Sequence, residues 1–270
     1  MPELPEVEIT RRGLMPSLIG KSIDTAVVRN AMLRYPVPPR LGRLLAGRTL
    51  RGIERRGKYL LFLLEHGTLL IHLGMSGSLR LVEAVDPPGK HDHVDIIFGD
   101  KVLRLRDPRR FGAILWEAGD ITQHPLIAPL GIEPLTTQFD GMWLHAATRG
   151  RSTPIKLLLM DSHTIVGVGN IYASESLFRA GIHPRTSAGR LSRARCERLT
   201  LAVRETLEAA LAAGGSSLRD FVHSNGDSGW FQQHYTVYGR EDEACGRCGA
   251  TIRAVRLGQR STFYCPACQR

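Results

Sequence analysis

The chain has 270 residues, 43% hydrophobic and 23% charged, an ordinary globular composition that excludes wholesale disorder. Its longest wholly apolar run, Tyr59–Leu64, is far shorter than the ~18 residues of a membrane-spanning helix, so no membrane is expected among its partners. Lys and Arg number 36 against 26 Asp and Glu, a net charge of +10, and all but five of the 36 are Arg, whose planar fork grips phosphate oxygens bidentately.

In chain order, Glu6–Leu18 reads as an opening helix with Val7, Leu14 and Leu18 on one stripe and Gly20 as its stop. Short strands follow at Thr25–Arg29, Tyr59–Leu64, Thr68–Leu73, Ser78–Val82, Val94–Phe98 and Val102–Leu105, separated by glycine, proline and charged turns. This is the texture of a sandwich or barrel. After Pro129 the period becomes helical, at Met142–Thr148, Pro154–Met160, Ile171–Arg179 and Ser192–Ala213. Gly214–Gly229, rich in glycine, serine and asparagine, reads as a mobile loop, and a cysteine-bearing hairpin ends the chain. The expected fold class is α+β and multidomain, with divisions at 1–125, 126–235 and 236–270. Isolated Cys196, in a helical stretch, reads as a small buried apolar residue.

Basic residues bunch at Lys101–Arg110, Ser176–Arg204 and Ala244–Arg270, with five, seven and five against one, one and no acidic residues. Patches in several parts of a folded chain point to a polyanion, nucleic acid first. The opening Pro2-Glu-Leu-Pro-Glu-Val-Glu8 lacks the basic start and apolar core of an export signal. A cytoplasmic location, nucleoid-associated when bound to DNA, is therefore expected.

Cys245, Cys248, Cys265 and Cys268 form two C-x2-C pairs separated by sixteen residues. Each pair can aim both sulfurs at one ion, and two pairs complete a tetrahedron. One structural zinc is expected, since a cytoplasmic chain disfavours two disulfides and so small a hairpin needs the metal's binding energy to fold. Four thiolates leave no open position for catalysis.

Three constellations compete for chemistry. Removal of Met1 before small Pro2 would expose a secondary amine titrating near ~8, partly neutral and nucleophilic at physiological pH, with Glu3 beside it to shuttle protons. His91, His93 and Asp95 would share one strand face at period two, a metal triad for a nuclease or a polar strand end touching phosphate. Gly167-Val-Gly-Asn170 precedes a helix but lacks both the third glycine of a dinucleotide loop and the lysine of a P-loop, so no nucleotide cofactor is expected. Met75 in His72-Leu-Gly-Met-Ser-Gly77, and Arg109 and Phe111 in Asp107-Pro-Arg-Arg-Phe-Gly112, sit on glycine-bounded turns, where they could wedge a base stack or simply pack a core.

Taken together, Pro2–Glu8, Gly57-Lys-Tyr-Leu60, His72–Gly77, Asp107–Gly112, Gly167–Glu175 and the cysteine hairpin resemble bacterial formamidopyrimidine-DNA glycosylases, in family order over essentially the whole chain. The resemblance implies an N-terminal β-sandwich, a helix–two-turn–helix region and a zinc finger. It implies excision of oxidised purines (8-oxoguanine and formamidopyrimidines) from duplex DNA, then β,δ-elimination at the abasic site, by an enzyme acting as a monomer. Pro2 then resembles the Schiff-base nucleophile, Glu3 the adjacent acid/base, Lys58 the proton donor in β-elimination, and Arg260 the phosphate-gripping arginine of δ-elimination. Met75, Arg109 and Phe111 resemble the residues that fill the gap left by the everted base. His72, His91, Arg151, Lys156 and Asn170 match DNA-contact positions, and the 214–229 loop the segment that covers the extruded base. The rivals are an endonuclease VIII-like enzyme for oxidised pyrimidines, whose opening typically carries glycine where this chain has Leu4, a metal-dependent nuclease, and a non-catalytic zinc-containing DNA-binding protein.

Overall fold

Alternation in Tyr59–Leu64 places Leu60, Phe62 and Leu64 on one side of a strand, and Leu69 and Ile71 of the next strand join them in one buried cluster. In the computed structural model, which describes residues 2–215 and 235–270, this pair lies within a sandwich of two antiparallel four-stranded sheets. The strands are β1 (Thr25–Val28), β2 (Leu50–Arg56), β3 (Tyr59–Leu64), β4 (Gly67–His72), β5 (Ser78–Glu83), β6 (Asp92–Phe98), β7 (Lys101–Arg106) and β8 (Ala113–Glu117). One sheet runs β1-β6-β7-β5 and the other β2-β3-β4-β8. Val94, Ile96 and Phe98 of β6 and Leu103 and Leu105 of β7 meet the β3 and β4 side chains in the core between them.

Helix α1 (Leu4–Leu18) adds Val7, Leu14 and Leu18 to that core. It starts two residues earlier than expected because a first turn tolerates Pro5, whose missing N–H has no helical partner there. β2, β8 and the short helix α2 (Leu41–Leu45) were not among the expected elements. In β2 the alternation is blurred by charged Arg51, Glu54, Arg55 and Arg56 and by an irregularity between Leu50 and Gly52.

The contacts divide the described chain into two units, residues 2–128 with 213–215 and residues 129–212 with 235–270. The second contains α3 (Gly141–Thr148), α4 (Ile155–Met160), α5 (Asn170–Ala180) and α6 (Arg193–Ala212), then the hairpin β9 (Arg253–Leu257) and β10 (Arg260–Tyr264). Leu199, Val203 and Leu207 of α6 are fully buried at the expected four-residue spacing, as is Cys196. α5 stops at Gly181, whose φ of +68° is the left-handed cap that glycine adopts without strain. From residue 216 onward the expected 214–229 loop lies outside the described residues.

Candidate active site and DNA-contacting surfaces

Pro2 is buried and Glu3, 2% exposed, is the N-cap of α1. A capping box holds this end: Glu3 accepts from the Glu6 backbone N–H, and the Glu3 N–H donates to Glu6 Oε2 at 2.8 Å. Glu6 was assigned no function from sequence, although the Glu3-x-x-Glu6 spacing carries the signal. One turn on, Glu8 accepts from Arg11, Arg12 and Arg55 of β2. Burial raises its pKa, but the hydrogen bonds from Arg11 and Arg12 and the nearby positive charges outweigh that and hold the carboxyl at about 2. The Glu8–Arg55 pair ties α1 to β2 just before the β2–β3 loop that carries Lys58. That two-residue loop opens on Gly57 at φ +57°, a conformation costly for other residues.

His72 ends β4 opposite Tyr59, with ring centroids 4.8 Å apart. Burial, then the charges of Lys58 and Arg34, push its pKa down to about 4. The ring is therefore neutral at pH 7. Nδ1 accepts from the Gly74 N–H at 3.1 Å, which leaves the proton on Nε2. Arg34 is another residue the sequence did not single out, and only the fold brings its charge near His72.

The two expected wedge turns are adjacent. Met75 lies on a turn whose Gly74 (φ +64°) passes so near Phe111 that a Cβ would sit 2.4 Å from the Phe111 carbonyl carbon. Arg110, at φ +58°, is in the left-handed region between Arg109 and Phe111. Phe111 is 44% exposed and the Arg109 guanidinium lies 4.8 Å from its ring centroid.

The His91, His93 and Asp95 metal triad does not form. His91 lies in the turn before β6, and a register shift between Asp92 and Val94 breaks the alternation the triad needed. His93 Nε2 is 2.8 Å from the Asp107 carbonyl oxygen. Asp95 is claimed by Arg29 at 2.6 Å and by both forks of buried Arg104 at 2.9 Å. Asp95 is pulled below the usual carboxylate range by its hydrogen bonds from Arg104 and Arg29, against the upward push of burial. His91 itself stays half-buried in that turn.

In the second unit, Lys156 is 1% exposed. Its ammonium donates to Asn170 Oδ1 at 2.6 Å, Thr262 Oγ1 at 2.7 Å and the Ser261 carbonyl at 3.4 Å. Asn170 Nδ2 donates to the same carbonyl at 3.0 Å. Lys156, matched by the resemblance to a DNA-contact position, thus has its charge on protein acceptors in this structure. Asn170 remains half-exposed as the first residue of α5, and Arg151 is exposed. Arg260 is exposed directly after the hairpin loop Gly258-Gln259, whose φ values of +51° and +62° suit a type I′ turn.

The four cysteine sulfurs lie within 4.8 Å of one another, the one set of at least three clustered metal-ligating groups among the described residues. Cys245 and Cys268 are 4.0 Å apart and Cys248 and Cys265 3.5 Å, bracketing the ~3.8 Å that tetrahedral Zn–S bonds of ~2.3 Å require. These residues fit one structural zinc.

Profiles of known families match the chain in three stretches. The formamidopyrimidine-DNA glycosylase N-terminal domain matches residues 1–114, the formamidopyrimidine-DNA glycosylase H2TH domain residues 130–222, and a zinc finger found in FPG and IleRS residues 242–270. The chain belongs to the formamidopyrimidine-DNA glycosylase family. The formamidopyrimidine-DNA glycosylase of Aromatoleum aromaticum is 60% identical over the full length of both chains, and that of Herminiimonas arsenicoxydans 55% identical over the same span. A Lactococcus lactis Fpg variant in complex with Fapy-dG-containing DNA is 35% identical, covers all of both chains and superimposes with a TM-score of 0.93. The wild-type L. lactis Fpg with oxidised-pyrimidine DNA is 35% identical over all of both chains, with a TM-score of 0.91. As a family member the protein is a base-excision-repair DNA glycosylase with the abasic-site lyase activity typical of these enzymes.

Proposed function

We propose that the protein excises oxidised purines, 8-oxoguanine and formamidopyrimidines, from duplex DNA through a Schiff base on Pro2. The observation that carries this reading is the seating of Pro2 and Glu3 at the start of α1, where the capping box with Glu6 fixes the carboxylate beside the terminal amine. With Met1 removed, the Pro2 nitrogen attacks C1′ as the bond from C1′ to the base breaks, and the base leaves with a proton. Opening of the sugar ring gives the iminium, with Glu3 relaying protons. Loss of a C2′ proton expels the 3′ phosphate, with Lys58 as the proton donor. A second elimination, with Arg260 gripping the phosphate, expels the 5′ phosphate, and water hydrolyses the imine.

Eversion of the base costs a few kcal/mol. Met75, Arg109 and Phe111 would offset it by filling the gap, while His72, His91, Arg151 and Asn170 would hold phosphates. Neutral His72 would donate from Nε2, and Lys156 would support Asn170 and the hairpin from beneath. The active species in this reading is a monomer, with chemistry in 1–125, duplex binding in 126–235 and zinc-finger contacts in 236–270.

Borohydride trapping on a duplex with 8-oxoguanine opposite cytosine, in EDTA with undamaged guanine as control, tests the reading. A lesion-dependent covalent adduct mapping to Pro2 is expected. Absence of the adduct, from zinc-loaded protein shown by mass to lack Met1, overturns it. The L. lactis complex with an oxidised pyrimidine motivates a second lane carrying that lesion. Faster trapping there would favour the endonuclease VIII-like specificity.

A further inference from the structure

Asp107 is fully buried although it opens an exposed turn, and none of the roles proposed above uses its side chain. Its Oδ1 accepts from Ser76 Oγ at 2.8 Å and its Oδ2 from the Gly112 N–H at 2.7 Å. Ser76, 3% exposed, accepts in turn from the Arg109 N–H at 3.2 Å. The Asp107 backbone is fixed on the other side, its N–H donating to the His91 carbonyl at 3.0 Å and its carbonyl lying 2.8 Å from His93 Nε2. One carboxyl group therefore holds the residue after Met75 and the residue after Phe111. The hydroxyl between them also fixes the backbone of Arg109.

We propose that Asp107 and Ser76 are positioning residues that lock the Met75 turn and the Arg109–Phe111 turn into one rigid wedge, so that base eversion does not have to order two separate loops. The inference rests on the wedge reading under Proposed function. Without the lock, two glycine-bearing turns would have to be immobilised at each encounter with DNA, at an entropic cost met at the eversion step. Chemistry on an abasic site in a single strand needs no wedge, because no stacked base is displaced.

Ser76→Ala removes the bridging hydroxyl with almost no change in volume. Single-turnover excision of 8-oxoguanine from duplex should slow about ten-fold, the effect of a lost buried hydrogen bond felt at the eversion step. Fluorescence of 2-aminopurine beside the lesion should rise less in step, while cleavage of a single-stranded abasic oligonucleotide should stay within about two-fold of wild type. Asp107→Asn keeps the size but sets an amide N–H₂ against one of two donors. It should give the same pattern and be non-additive with Ser76→Ala. Duplex excision within about two-fold of wild type, equal losses on duplex and single strand, or full additivity would each overturn the lock. Wild-type protein inert on both substrates would overturn the function proposed above and the lock with it, whereas active wild type with an unaffected Ser76→Ala variant would remove the lock alone.

Discussion

In the first unit a buried carboxyl group, Asp107, holds together the mostly buried Met75 turn and the exposed Arg109–Phe111 turn; in the second a buried ammonium, Lys156, lies beneath the start of α5 and the zinc hairpin. The carboxyl oxygens accept, so Asp107 collects N–H and O–H groups from turns close to one another in the sandwich. The ammonium donates only, so Lys156 collects an amide oxygen, a hydroxyl and a carbonyl, two of them more than a hundred residues away. Asp107 stiffens a local surface that the strands already bring together. Lys156 joins α4 and α5 to a hairpin expected to need its metal in order to fold, so loss of zinc should reach the partners of Lys156 as well.

That dependence gives the largest expected effect. Stripping zinc with a strong chelator should release Ser261 and Thr262 from Lys156 as the hairpin unfolds, lowering the melting temperature by on the order of 10 °C. Calorimetry with a zinc-release dye checks it, and stoichiometric release with an unchanged melt would show that the hairpin does not need its metal. Lys156→Met keeps the stem and deletes the charge, leaving buried acceptors without their donor. A loss of about 2–3 kcal/mol in urea unfolding is expected, and a change below about 0.5 kcal/mol would remove Lys156 as the joint.

His72 sharpens the contrast because it resolves burial in a third way, by giving up its charge. Its folded pKa of about 4 lies below the ordinary 6.5, so between those values the unfolded chain binds the extra proton. Its contribution to stability is complete above about pH 6.5 and is lost as the pH falls toward 4, by at most roughly 3 kcal/mol. The difference in unfolding free energy between wild type and His72→Asn, measured from pH 7 to 4, should shrink along that slope. A flat difference would mean that His72 takes up a proton as readily in the folded chain as in the unfolded one.

The three basic bunches show where reading the chain stops. Within Lys101–Arg110, Lys101 pairs with Glu83 and Arg104 is buried on Asp95, leaving Arg106, Arg109 and Arg110 exposed for a partner. Within Ser176–Arg204, Arg204 binds the Thr136 and Phe139 carbonyls and Arg195 the Arg270 carbonyl. Arginine bunching alone therefore overstates the phosphate-binding surface, because a guanidinium satisfies a distant carbonyl as readily as a phosphate.

What the sequence by itself determined is whatever depends on spacing along the chain. It placed the cysteine pairs, the strand Tyr59–Leu64 and the four-residue stripe of α6, since turn and pleat periods are local properties of the backbone. The motif resemblance supplied the family and the residues matched to it. Tertiary structure alone decided which polar groups meet. It took Asp95 and His93 away from a metal and turned Lys156 inward. It brought Arg34 to His72, and Ser76 and Asp107 to one hydrogen-bonded joint. Those pairings form between strands and turns remote in sequence, where burial compels each donor to find an acceptor and no repeat along the chain records which one it finds.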